Sequence, residues 1–136
     1  MSKPTLQTYA EFWPFYLREH SLPVTRRFHF VGTSLGVATG IAAIAMGRAA
    51  LIPAALVSAY GFAWFSHFFI EKNKPASFKY PLWSFISDFR MAGLMAVGQL
   101  DAHMERAFAN GEQGTGANSM APASRPAPQA AAQQVR

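Results

Sequence analysis

The sequence has no cysteine. Disulfides, thiolate zinc sites and thiolate-held iron–sulfur clusters are therefore excluded. Charge is also scarce: 14% of the 136 residues are Asp, Glu, Lys or Arg, against about 25% in an ordinary soluble domain. Several signatures of catalysis are missing. There is no H-E-x-x-H or Glu-x-x-His metal motif, no Ser nucleophile elbow, no P-loop and no dinucleotide fingerprint. Any metal chemistry has to be assembled from four histidines and seven acidic residues scattered along one domain's length of chain.

What the sequence does contain is long apolar runs; hydrophobic residues make up 51%. A net charge of +5 and a pI near 10 would fit nucleic acid. Here the basic residues border the apolar runs, which suits a surface facing anionic lipid better, and no nucleic-acid partner is expected.

Residues 1–28 carry Tyr9, Phe12, Trp13, Phe15 and Tyr16 among Glu11, Arg18 and Glu19. This pattern predicts a short interfacial helix with aromatics at headgroup depth. Pro14 argues against an unbroken helix unless it falls in a first turn. Phe30 to Gly47 is free of charge and, at 18 residues and about 1.5 Å each, reaches about 27 Å, enough for a bilayer core. Gly32, Gly36 and Gly40 form a seam that lets another helix approach closely, whether from this chain or from a second copy in a homo-oligomer. Arg48 marks a tight loop. Ala49 to Ile70 makes a second span, with Pro53 in its first turn and a row of Ala55, Ala59 and Ala63. Pro81 to Leu100 is a third apolar stretch, which either spans or lies partly in the interface. It is interrupted by Asp88 and Arg90, and ionisable groups at membrane depth mark function by default. From Gly111 to Arg136 the chain is mostly Gly, Ala, Pro, Gln and Ser without an aromatic, and is expected to be a disordered tail after a membrane domain of residues 1–110.

Two spans joined by so short a loop form an antiparallel hairpin. His29 opens the first span and His67 closes the second, so both lie at one side and at similar depth. If the glycine seam meets the alanine row, the two histidines come together at its end, with His20 just before. His67 and Glu71, four apart, share a helix face. The candidates are thus His20, His29, His67 and Glu71, with Asp88 as an open further candidate. Imidazole and carboxylate without sulfur suit iron, zinc or manganese; two histidines and one carboxylate with open positions suit a non-haem Fe(II) oxygenase. Lys3, Arg18, Arg26, Arg27, Lys72, Lys74 and Lys79 flank this side and only Arg48 the other, which places the cluster at the cytoplasmic face.

Two segments carry a resemblance. FYLREHSLPVTRRFHFVGT and GFAWFSHFFIEKNKPASFKYPLWSFISDFRM are similar to the Mpo-type 2-hydroxy-fatty-acid dioxygenase family in its short bacterial form, over roughly residues 10–100. The resemblance implies an integral membrane, Fe(II)-dependent enzyme that uses O2 to shorten a long-chain 2-hydroxy fatty acid by one carbon. It carries the catalytic and metal-ligating histidines onto His20, His29 and His67, and the acidic ligand onto Glu71. Some members have His where this chain has Tyr80. The competing expectation is a non-catalytic membrane protein that binds lipid or a partner through its glycine seam.

Overall fold

The computed structural model describes residues 5–116. Among these the chain is entirely helical, with five α-helices and no strand. Helix α1 spans Tyr9–Arg18, α2 Pro23–Ala45, α3 Leu51–Phe65, α4 Pro81–Ala96 and α5 Leu100–Gly116. A π-helical segment, Ser66–Glu71, extends α3, and a short 3-10 turn, Ala76–Phe78, precedes α4.

The local causes are plain. Thr8 and Glu11 make a reciprocal capping box that starts α1. Pro14 lies inside α1 rather than in its first turn, and the ten-residue helix runs through it. The proline removes one backbone donor, and the buried aromatic face of the helix offsets that loss. Helix α2 starts at Pro23, earlier than the charge-free run, because proline at the first position is preset for a helix. At its far end Gly47, at φ 61°, closes the turn, with Arg48 N–H donating to the Ala43 carbonyl.

Helices α2 and α3 form the expected antiparallel hairpin, and the small-residue faces do meet. A Cβ at Gly32 would stand 2.7 Å from Phe62 Cβ, and one at Gly36 would stand 3.0 Å from the Ala55 carbonyl oxygen. The seam expected to admit another helix is therefore filled at these two positions by the chain's own α3. With their π extension, the two helices are 23 and 21 residues long and apolar enough to cross a membrane.

Two expectations change. Three aromatics of α1 point inward: Phe12, Trp13 and Tyr16, with Leu17, are buried against α4 and α5. The third apolar stretch is not one long helix. It breaks at Gly98, φ 69°, where Gln99 N–H donates to the Leu94 carbonyl. That leaves α4 with 16 residues, about 24 Å, short of a roughly 30 Å hydrocarbon core. Helix α5 folds back on α1 through Leu100, Met104 and Ala107. It continues to Gly116, beyond the boundary expected at residue 111; the rest of the expected tail lies outside the described residues.

Candidate metal centre

Three separate elements deliver one histidine each. His20 follows the C-terminus of α1, its N–H held by the Leu17 carbonyl at 3.1 Å. His29 sits in the second turn of α2, and His67 is the second residue of the π segment. All three are buried, at 0%, 4% and 2% exposure. Their Nε2 atoms form a nearly equilateral triangle: 3.1 Å from His20 to His29, 3.2 Å from His29 to His67, and 3.1 Å from His67 to His20.

The opposite ring nitrogens fix the tautomers. His20 Nδ1 lies 2.6 Å from the Tyr16 carbonyl, which can only accept, so Nδ1 donates. His29 Nδ1 donates to Asp88 Oδ1 at 2.9 Å. His67 Nδ1 lies 2.7 Å from Asn73 Oδ1, and the amide is oriented by its own NH2, which donates to the Glu19 carbonyl at 2.9 Å. With all three protons on Nδ1, all three Nε2 atoms are acceptors. Burial, followed by the neighbouring His29 and His67, holds the His20 pKa well below its usual value, so that ring is neutral.

Three bare lone pairs converging in a buried space have no donor among themselves, and such a space suits a cation. The size also fits. Metal–imidazole bonds are about 2.0–2.1 Å, and three nitrogens 3.1–3.2 Å apart can all reach one ion at that distance from the same side. Among the described residues, His20, His29 and His67 are a group that could hold a metal ion. The Nδ1 hydrogen bonds to a carbonyl, a carboxylate and an amide are the partners that orient metal-bound imidazoles.

Glu71 is not brought into this group. Its carboxylate instead accepts from Ser21 N–H at 2.9 Å, Leu22 N–H at 3.2 Å and the Ser21 and Thr25 hydroxyls. It caps the start of α2, where Leu22 supplies no side-chain cap. Asp88 acts through His29 and also accepts from the Tyr16 hydroxyl. Burial and the adjacent Asp88 push the Tyr16 pKa well up, so it stays a donor. Arg26 donates to the His20 and Ser21 carbonyls at 2.9 and 2.7 Å and fixes the turn that carries His20. Tyr80 packs on Phe12 and Trp83 and accepts from Leu6 N–H at 3.0 Å. His103 lies against Trp13, outside the triad. Sequence reasoning missed Tyr16 and Asn73. The asparagine in the Lys/Asn/Pro loop read only as a turn residue, and Tyr16 only as one more aromatic.

Fold and site together define a small helical protein with a buried three-imidazole centre able to hold a metal ion. The chain belongs to the Mpo1-like family, described as 2-hydroxy-palmitic acid dioxygenase Mpo1-like, whose model matches residues 6–100. That description suggests a dioxygenase acting on 2-hydroxy fatty acids. No curated protein and no solved structure matches the chain.

Proposed function

We propose that this protein is an Fe(II)-dependent membrane dioxygenase that shortens long-chain 2-hydroxy fatty acids by one carbon. The observation that carries the proposal is the triangle of three Nε2 atoms, each bare because its Nδ1 is engaged elsewhere. His20, His29 and His67 would hold the iron. When bound, the iron supplies Lewis acidity and the activation of O2. Three neutral imidazoles leave its charge uncancelled, which favours an anionic substrate. A 2-hydroxy carboxylate offers a hydroxyl and a carboxylate on adjacent carbons, a chelating pair that orients the C1–C2 bond. The overall balance is closed: a 2-hydroxy acid and one O2 give the acid one carbon shorter, CO2 and water, with no external reductant.

The protein's own groups orient and protect. Asp88, Asn73 and the Tyr16 carbonyl hold the three rings in one tautomer. Tyr16 of α1, fully buried with its ring 4.1 Å from that of His20, covers the site on that side. Membrane insertion is supported by the outward faces of the hairpin, where Val57, Phe69 and Ile52 are 72%, 62% and 51% exposed. The positive charges on the triad's side favour the cytoplasmic face of the membrane, the cytoplasmic membrane in a bacterium.

The test is oxygen uptake by detergent-purified protein loaded anaerobically with Fe(II) and given 2-hydroxyhexadecanoate. Iron-dependent uptake with a product one carbon shorter is expected. No uptake with iron firmly bound would discard this substrate.

A further inference from the structure

A groove of about 320 Å³ runs between α2, α3 and the middle of α4, within the range that accommodates small ligands. Its lining is apolar except for Asp88, Thr33 and Tyr60. Asp88 is the residue that holds His29, and Thr33 lies one turn beyond His29 on α2. One end of the groove therefore adjoins the triad. From there it follows a single face of α2 through Val37 and Gly40 to Ile44. Thr33 to Ile44 is a rise of about 16 Å. Among the described residues, no charged group other than Asp88 lines it.

The three seam glycines differ. Gly32 and Gly36 have α3 backbone within 3.0 Å of where a Cβ would stand, so helix packing accounts for them. A Cβ at Gly40 meets nothing within 4 Å. Packing does not require glycine there, and a side chain at that position would enter the groove instead.

We propose that this groove takes the acyl chain of the 2-hydroxy acid, with the carboxyl end at the triad, and that Gly40 sets how long a chain is accepted. The proposal rests on the triad being the place of reaction. The occupant follows from the lining: a polar mouth beside His29 and a long apolar wall behind it. Asp88, whose side chain is 15% exposed, offers an acceptor at that mouth for the substrate's 2-hydroxyl. A plain lipid tail has no group to use it.

The experiment is photo-crosslinking of the full chain in detergent with 2-hydroxy acids of graded length, each carrying a diazirine at its far end. Labelled residues are mapped by peptide mass spectrometry. The label is expected to advance along α2 with chain length, from around Val37 toward Ile44. In Gly40→Leu, labelling and binding of the long acids fall about tenfold or more while short acids are unaffected, the discrimination expected of a hydrophobic pocket that loses methylene room. Leucine is also a better helix former than glycine, so the variant helix is not weakened. Ala38→Leu, on the exposed side of the same helix, keeps the wild-type profile. Labels scattered over outward residues such as Val57 and Phe69, or an unchanged length profile in Gly40→Leu, overturn the proposal. Equal labelling by acids without the 2-hydroxyl also overturns it, because the groove would then be a general lipid contact. Labelling needs no turnover, so wild-type protein that labels in the groove but consumes no O2 counts against the reaction and not against the groove.

Discussion

Replacing Asp88 by asparagine probes whether the metal centre is tuned by what its rings touch. Asp88 Oδ1 accepts from two buried donors, the Tyr16 hydroxyl and His29 Nδ1. Asparagine keeps the shape and one oxygen but removes the charge. A hydrogen bond to a charged group contributes about 1.5–3 kcal/mol and a neutral one about 0.5–1.5 kcal/mol. The change at His29 is thus about 1–2 kcal/mol, a factor of about 5–30 in metal affinity. Partners of metal-bound imidazoles elsewhere change affinity or activity by about 10–100-fold, so the two estimates overlap. The assay is competition for the metal against a chelator of known affinity, on detergent-purified protein, with thermal unfolding run alongside. Tyr16→Phe is the companion variant. It removes the other donor, leaves the His29 bond in place, and should weaken metal binding less than D88N does. An Asp88→Asn protein that folds and binds metal as tightly as the wild type would refute the reasoning.

Glu71→Gln should keep its metal, because Glu71 caps α2 and lies outside the triad, while stability falls by about 0.5–2 kcal/mol, the range for a lost helix cap; metal content and chemical denaturation read the two separately. Gly36→Leu places side-chain atoms against the Ala55 carbonyl and should cost about 1–3 kcal/mol or more by overpacking, seen as a lower unfolding temperature. Asn73→Leu leaves His67 Nδ1 without its acceptor and should weaken metal binding by about 10–100-fold, measured by the same chelator competition. In metal-free protein, His20 takes up a proton less readily folded than unfolded. Its contribution to stability is therefore fully present above the ordinary value of 6.5 and is lost as pH falls through the lower folded value. Unfolding followed between neutral and mildly acidic pH should show that loss, and added metal should move it to lower pH.

The hairpin and the meeting of its histidines were legible because they depend on length and period. Two apolar runs with a tight loop have one arrangement, and glycines facing alanines set its register. The resemblance covered the same histidines. Three things were not legible. The inward turn of α1 depends on α5, whose amphipathic face reads as a polar helix end until Gly98 is known to reverse the chain. The place of Glu71 depends on the turn into α2, whose Ser21 and Leu22 N–H groups and Ser21 and Thr25 hydroxyls take up its carboxylate; the spacing from His67 shows nothing of that competitor. The parts of Tyr16 and Asn73 depend on which backbone and side-chain atoms their neighbours present, a matter of tertiary contact rather than spacing.

The most direct measurement is the iron content of purified protein after anaerobic Fe(II) loading and removal of loose metal, for the wild type and for His20→Ala, His29→Ala and His67→Ala. The triad predicts about one iron per folded chain, with loss on each of the three replacements. A folded wild type that retains no iron, or His variants that retain it in full, would contradict the account.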